Sequence, residues 1–504
     1  MSYAWLYTRA QVGMEAPPVK VEVHISNGLP MMNIVGLAET SVKESKDRVR
    51  SAITNSGFEF PSARRVLINL SPADLPKISG RYDLPIALGI LAATGQINAD
   101  KLQGFCFAGE LGLNGKLHTF SGNLPLAIAA SRASEVPILP QACSEELQLL
   151  AKKSRGKLLL ANNLLQVSEY IKGQGELTTL NTLDLQPRHS RYHQPNLAHV
   201  RGQHLAKRAL EIAASGGHNL LMSGPPGTGK TMLASCLPGI LPPLEETQAL
   251  EVASIYSLAG RDFSFVQNGT RPFRNPHHTA SGVALVGGGG NPRPGEISLA
   301  HCGVLFLDEL TEYPHQVLNV LREPLESGEI RISRARMQVR YPANFQLIAA
   351  MNPCPCGYLG TSKACGVCTS EQIARYRGRV SGPLLDRIDL HIQVGELAKE
   401  DLLGEAAGEE DSTNIRKRVH QARQRQLARQ GAQNSTIAPQ DIEAICRLDA
   451  RAKNCLQRIF DGLKLSARAY HKILRVARTI ADMQDENEVN QEQLLEAVSY
   501  RQTE

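Results

Sequence analysis

Apolar and polar residues alternate strictly over Val19–Ile25, VKVEVHI, placing Val19, Val21, Val23 and Ile25 on one side. That period of two predicts a half-buried strand. Ser41 and Glu44 have the spacing of a capping box, so a helix is expected from there to about Ile53. A second apolar strand, Val66–Leu70, leads into a glycine-containing loop, Lys77–Arg81, and a helix from about Leu84. Strand and helix patterns continue to about Ile171, and the polar stretch Gly173–Pro195 reads as a linker. From Ala198 to Val394 strand and helix periods alternate between glycine-rich turns, the pattern of an α/β domain with a parallel sheet. Beyond Gly395 only helical periodicity remains, with helices expected at Ile415–Arg429, Pro439–Cys446, Ala467–Asp482 and Gln491–Tyr500. The expected division is an α+β domain at 1–172, a linker at 173–197, an α/β core at 198–394 and a helical domain at 395–504.

A chain of 504 residues has room for these pieces, each with its own core. The most apolar segment, Leu84–Ala93, is too short to cross a bilayer, and the N-terminus lacks the layout of a secretory signal. A cytoplasmic protein with no membrane partner is therefore expected. A net charge of +6 neither demands nor excludes a polyanionic partner, so the position of the charges matters more than their sum. Six of the ten cysteines, Cys106, Cys143, Cys236, Cys302, Cys446 and Cys455, are scattered and read as reduced core residues.

The chemistry is concentrated in the α/β core. The apolar strand end Leu220–Ser223 runs into Gly224-Pro225-Pro226-Gly227-Thr228-Gly229-Lys230-Thr231 and then a helix. Glycines let such a loop wrap phosphates, and its N–H groups with the helix N-terminus point at them. Lys230 would reach the β- and γ-phosphates of ATP, and Thr231 would ligate Mg2+. The buried strand Val304–Leu307 ends in Asp308 and Glu309, where α/β sheets bind ligands. Asp308 suits the magnesium ion, and Glu309 suits the general base that polarises the attacking water. A third strand, Phe345–Ala350, ends near Asn352, whose amide can orient that water in the role known as sensor 1. Arg387 and Arg468 are the cations expected at the γ-phosphate, where charge develops in the transition state. Their bland alternatives are a local ion pair with Asp386 or Asp389 and an exposed helix charge.

Further segments are more distinctive: Arg271-Pro-Phe-Arg-Asn-Pro-His-His278, Gly282-Val-Ala-Leu-Val-Gly-Gly-Gly-Gly290, Pro294-Gly-Glu-Ile-Ser-Leu-Ala-His301 and Ser381-Gly-Pro-Leu-Leu-Asp-Arg-Ile-Asp389. With Gly36-Leu-Ala-Glu-Thr40 and Gly80-Arg-Tyr-Asp-Leu-Pro-Ile86, they closely resemble the bacterial ComM (YifB) family of magnesium-chelatase-like AAA+ proteins, over nearly the whole chain. The resemblance implies a homohexameric, ATP-driven DNA helicase promoting branch migration in natural transformation and recombination. It implies an AAA+ core with helix-2 and pre-sensor-1 insertions and a helical lid, with Arg387 as arginine finger and Arg468 as sensor 2. It also implies a Lon-protease-like N-terminal domain. The positions of that fold's serine and lysine fall near Tyr82 and Leu124, which cannot do the chemistry, so no proteolysis is expected.

The residues support DNA contact on their own account. Glu329–Tyr341, EIRISRARMQVRY, has the alternation of a hairpin, with Arg334 and Arg336 at its tip and Arg331 and Arg340 on its arms. Six copies around a pore would line it with guanidinium groups, whereas in isolation the same charges protect a solvated edge. The glycine run Gly287–Gly290 suits a pore loop or a flexible turn. The basic run Arg416, Lys417, Arg418, Arg423, Arg425 and Arg429 reads as a solvated helix face. Cys354, Cys356, Cys365 and Cys368, C-x-C-x8-C-x-x-C, offer a tetrahedral set for a structural Zn2+, with four reduced thiols or a redox pair as the other readings. The rival function is a chelatase-like motor acting on a protein partner.

Overall fold

Val19, Val21, Val23 and Ile25 lie on the buried side of the strand Pro18–Ser26, as their alternation requires. The computed structural model describes residues 2–37, 39–153, 157–180, 195–290, 292–334, 337–360, 365–396, 410–463 and 466–501. The chain divides into two compact units, one of Met1–His189, Glu246–Gln267 and Ser333–Tyr341, the other of Ser190–Glu245, Asn268–Ile332 and Pro342–Glu504.

The first unit is built on a mixed eight-stranded sheet. Its order is Thr178–Thr179, Leu159–Ala161, Val136–Pro140, Phe105–Phe107, Tyr3–Arg9, Pro18–Ser26, Arg65–Ser71 and Met31–Val35. Tyr3–Arg9 and Pro18–Ser26 pair antiparallel with Leu6 opposite Val21, while Met31–Val35 runs parallel to Arg65–Ser71. The helix Asp83–Ala93 packs on Tyr3–Arg9 and Pro18–Ser26 and is buried on every side, which explains why Leu84–Ala93 is the most apolar segment of the chain. Ser41 does not begin the main helix as expected. Ser41 lies inside a short helix, Thr40–Lys43, and the main helix runs Ser45–Asn55 with no side-chain cap from Glu44. The buried carboxylate of Asp83 accounts for the shift, because it binds the Ser45 hydroxyl and takes Arg48 Nε at 2.7 Å. The helix Glu246–Ala259 belongs to this unit and packs on Asn123–Arg132 and Ser144–Lys153.

The second unit carries a five-stranded parallel sheet in the order Phe273–Arg274, Val304–Leu307, Gln346–Met351, Leu220–Ser223, Leu390–Gln393. The helices Ser412–Gln430, Ile442–Cys446, Ala467–Met483 and Gln491–Ser499 answer to the sequence expectation, and Ala450–Leu463 joins them. One apolar core runs from the sheet into these helices, from Leu220, Phe306 and Ile348 to Val419, Ile473 and Val498. Four of the scattered cysteines are fully buried, Cys302 and Cys455 are half-buried, and all are free thiols.

The basic run in Ser412–Gln430 is only in part the solvated face expected of it, since Lys417 and Arg429 are exposed while Arg423 is buried and the arginines are partnered. Arg423 is 8% exposed and donates to the Ala214 carbonyl at 2.8 Å, and Arg416 donates to Gly239. Arg418 pairs with Glu211, Arg425 with Asp485 and Arg429 with Asp482. Only the partners, distant in sequence, distinguish such a helix from a solvated one.

Asp482 is the hub of this region. At 2% exposure it accepts from Arg478 at 2.9 Å, Arg429 at 2.6 Å and Asn434 at 2.8 Å. Asp482→Ala strands two arginines and is expected to lower unfolding stability by about 3–5 kcal/mol. Asp485→Ala, which removes an exposed partner of Arg425, should cost no more than about 1 kcal/mol; denaturant titration of the two variants checks the contrast. His391 in the last strand supplies a pH dependence. Burial, with the charges of Arg501 and Lys472, pushes its imidazole down from 6.5 to about 4. Between those values the unfolded chain takes up a proton that the folded chain refuses, so stability falls as pH drops through the window and levels off below it. The loss is on the order of 3 kcal/mol, and His391→Gln should remove it from unfolding curves recorded across that range.

Candidate nucleotide site

The parallel order sets Leu220–Ser223 between Gln346–Met351 and Leu390–Gln393, with Val304–Leu307 one strand further out. Every loop that follows one of these strands therefore leaves from the same edge of the sheet. The loop Gly224–Gly229 leads into the helix Lys230–Ile240, and Gly227 and Gly229 hold φ of 80° and 83° in open space. A Cβ at Gly224 would lie 2.2 Å from the Val394 carbonyl, so this position admits only glycine.

Lys230 folds back over the loop. Its Nζ donates to the carbonyls of Gly224 and Pro225, both at 2.7 Å, and stands 3.5 Å from Asn352 Oδ1. Burial pushes its pKa down, against the pull of Asp308. Thr231 Oγ1 donates to Asp308 Oδ2 at 2.6 Å, which brings together a hydroxyl and a carboxylate of the kind that ligate magnesium. Thr228 donates to the Pro225 carbonyl and stiffens the loop from inside. The open glycine turn, the ammonium group beneath it and the Thr231–Asp308 pair fit a magnesium–nucleoside triphosphate.

Glu309 follows with a left-handed φ of 50°. Its N–H bonds Asp308 Oδ1 at 2.9 Å, while its side chain, 53% exposed, meets His278 Nδ1 at 2.9 Å. His278 stacks against His277 with centroids 4.1 Å apart and meets the edge of Tyr313, whose hydroxyl donates to the Pro276 carbonyl. Sequence reasoning assigned His278 no role. The histidine pair is visible in the sequence, but its contact with Glu309 depends on the adjacency of Phe273–Arg274 and Val304–Leu307 in the sheet.

Arg387 and Arg468 are not brought to this edge. Arg387 lies just before Leu390–Gln393, so a parallel strand of about 13 Å separates it from the phosphate-loop side. It pairs with Glu326 rather than with Asp386 or Asp389. Asp389 is taken by Lys472 at 3.0 Å and by Asn219 N–H at 3.0 Å. Burial alone would raise the Asp389 carboxyl, but Lys472 and His218 outweigh it and hold it below the usual carboxylate range. Arg468 stands exposed at the start of Ala467–Met483, and with Arg387, His471, Lys472 and Arg475 it lines a cavity of about 640 Å³.

The predicted hairpin forms from Glu329–Arg334 and Met337–Pro342. Ile330, Ile332, Val339 and Tyr341 are buried, leaving Arg331 and Arg340 on the exposed side. Arg331 pairs with Glu329 at 2.5 Å. Arg336 lies outside the described residues, as does the placement of the Arg334 side chain. Within the glycine run, Gly287–Gly288 pairs antiparallel with Arg293–Pro294, so its first half is the arm of a small hairpin.

The four clustered cysteines converge, each offering a sulfur within 4.8 Å of the others. Burial pushes the Cys354 thiol up, but hydrogen bonds from Cys356 and from the N–H groups of Leu359 and Gly357 outweigh it and bring it to about 7. N–H groups aimed at sulfur are the second layer expected around a bound metal.

Comparison with known proteins covers most of the chain. The description "Magnesium chelatase, subunit ChlI" matches residues 196–402, "Subunit ChlI of Mg-chelatase" matches 21–142, and "Magnesium chelatase, subunit ChlI C-terminal" matches 409–501. The protein YifB of Salmonella typhimurium is 48% identical over 503 residues, which cover 99% of this chain and 97% of its own. Competence protein ComM of Haemophilus influenzae is 47% identical over 504 residues, 99% of this chain and 98% of its own. The magnesium-chelatase 67 kDa subunit of Heliobacterium mobile is 28% identical over 228 residues, 40% of this chain and 31% of its own. With near-complete coverage at almost half identity, and the phosphate loop at the centre of its parallel sheet, the chain belongs to the ComM (YifB) family of magnesium-chelatase-like AAA+ ATPases.

Proposed function

We propose that the protein is an ATP-driven DNA translocase, a cytoplasmic homohexamer that promotes branch migration in natural transformation and homologous recombination. One observation carries this reading: Lys230, Thr231, Asp308, Glu309 and Asn352 meet at one edge of the sheet, while Arg387 and Arg468 line a cavity at the other. A half-site at each edge is completed when a second copy presents its arginines to the first copy's γ-phosphate. Gly224–Thr231 bind the phosphates, Lys230 neutralises the β- and γ-oxygens, and Thr231 with Asp308 hold Mg2+. Bound there, magnesium would supply further charge neutralisation. Glu309 accepts the proton of the water that Asn352 orients, the water oxygen bonds the γ-phosphorus as its bond to the bridging oxygen of ADP breaks, and the arginines stabilise the charge that develops.

Arg331 and Arg340, with Arg334 and Arg336, are assigned to DNA phosphates, with the glycine run Gly287–Gly290 as a second pore element. The exposure of Arg331 and Arg340 on one side of the hairpin supports this. The Lon-protease-like domain contributes ring contacts or DNA binding without proteolysis, since the positions of that fold's serine and lysine are taken by Tyr82 and Leu124, both buried. Residues 395–504 form the helical lid. The four cysteines hold a structural Zn2+. The full-length match to a relative named for competence supports the recombination setting. The chelatase matches favour a second reading, a motor remodelling a protein partner.

Hydrolysis in the presence and absence of DNA, together with movement of a synthetic four-way junction, separates the two. Turnover stimulated by DNA with junction movement supports the translocase, and turnover indifferent to DNA with a static junction moves the assignment to protein remodelling. Lys230→Ala should abolish both, whereas Glu309→Gln should retain ATP binding and lose about 10²–10⁴ in turnover. Arg387→Ala should bind ATP and lose about 10³–10⁵ in turnover. Mixing Arg387→Ala with Lys230→Ala subunits should restore part of the lost hydrolysis, since each supplies the half that the other lacks. Arg331→Ala with Arg340→Ala should reduce the slope of log affinity against log salt by about 1.8, two phosphate contacts at about 0.9 each.

A further inference from the structure

The cysteine cluster is bound into the nucleotide site by its place in the chain and by its packing. Cys354 stands two residues beyond Asn352, and Cys354, Cys356 and Cys365 have sulfurs 3.3, 3.4 and 3.8 Å apart. Zinc–sulfur bonds in a tetrahedron place sulfurs about 3.8 Å apart, so the set is close to the spacing that the metal needs. Between the first and third of these thiols, Gly357 takes a φ of 85° and lies against the phosphate loop. A Cβ there would come 2.7 Å from Pro226 Cδ and 3.9 Å from Asn352 Cγ. On the far side, Cys368 is followed by the capping box of Thr369 and the helix Ser370–Arg377. That helix returns, and Arg377 Nε donates to the Pro353 carbonyl at 3.2 Å, beside Cys354. The knuckle and its helix thus close a loop on the peptide that carries Asn352, with Pro226 pressed against one side of it.

We propose that metal at Cys354, Cys356, Cys365 and Cys368 clamps Asn352 and Pro226 in register with Lys230, so that ATP turnover is gated by zinc occupancy. The inference rests on the zinc assignment above and extends it from a local staple to a control on the motor. Without the metal, four thiols in a turn of glycine and proline have no strong force holding them together. Gly357 then ceases to buttress Pro226, and Asn352 loses its fixed distance from the lysine. A displacement of about 1 Å in a positioning group lowers turnover on the order of a hundredfold.

The full-length protein, purified with zinc and then stripped with a strong chelator, tests this. Zinc per chain is measured by a colorimetric chelator after thiol blocking, and turnover and the Kd for a fluorescent ATP analogue are measured with Mg2+ restored. The expected result is one zinc per chain, a fall in turnover of about a hundredfold on stripping, weakened analogue binding, and recovery with Zn2+ alone. Gly357→Ala keeps all four thiols and presses on Pro226, so it should retain zinc and still lose turnover. It also decides the matter if stripping unfolds the chain. Zinc that can be removed with no change in turnover or Kd, or a zinc-replete Gly357→Ala protein with wild-type turnover, overturns the clamp and leaves a local staple. A freshly purified wild type with no zinc overturns the zinc assignment itself.

Discussion

Parallel pairing of Leu220–Ser223 with Gln346–Met351 on one side and Leu390–Gln393 on the other is the constraint on which the second unit depends. Parallel strands end together, so the phosphate loop, Asp308–Glu309 and Asn352 emerge at one edge without any of them being close in sequence. The loop then needs room that only glycine leaves, as the close approach of Gly224 to the Val394 carbonyl shows. Lys230 completes the arrangement by donating to the Gly224 and Pro225 carbonyls, which holds the loop open around its own ammonium group. The same pairing puts Arg387 at the opposite edge, since it precedes the strand whose end flanks the loop.

The helices after residue 410 are tied to this sheet by apolar burial and by a polar hub. Their core is continuous with the strands, and His391 N–H bonds the Tyr500 carbonyl directly. Asp482 gathers Arg429, Arg478 and Asn434 in a nearly dry setting, where partner loss is costly and the fully paired state is rigid. Lys472 reaches from the same helix to Asp389, two residues past Arg387. The arginine cavity is therefore walled by the sheet and by the helix that carries Arg468, and a shift of that helix would be felt at both arginines.

Two features beside the phosphate loop are held by contacts rather than by motif. Glu309 sits in a left-handed conformation with its carboxylate against His278, and backbone of that kind persists where the surroundings over-determine it. Tyr313 and His277 supply those surroundings. The cysteine knuckle bears on the other side of the loop through Gly357 and Pro226. Glu309 is thereby set against His278, and Asn352 lies near Gly357, each next to a segment outside the phosphate loop.

Alternation in Val19–Ile25, apolar runs at Leu220–Ser223 and Val304–Leu307, and glycine spacing in Gly224–Thr231 are local signals, and the strands and the phosphate loop follow from them. Local chemistry also marked Glu309, Asn352 and the four cysteines as candidates, but an acid or an amide at a strand tip is common, and only the neighbouring phosphate loop gave the first two their meaning. Competition from distant groups decided the rest. The main helix begins at Ser45 rather than at Ser41, and Asp83 binds its Ser45 and Arg48. The arginines of the basic helix took partners, Glu211, Asp482, Asp485 and two carbonyl oxygens, and Arg423 among them is buried. His278 meets Glu309, and Arg387 meets Glu326, only through strand order. The sequence by itself determined which segments are strands, which loop can hold phosphate and which side chains are candidates for chemistry, since period, glycine spacing and side-chain type act over a few residues. Only the tertiary structure decided which charges are buried, which partner each takes and at which edge of the sheet each arginine stands, because those depend on groups that the chain brings together across hundreds of residues.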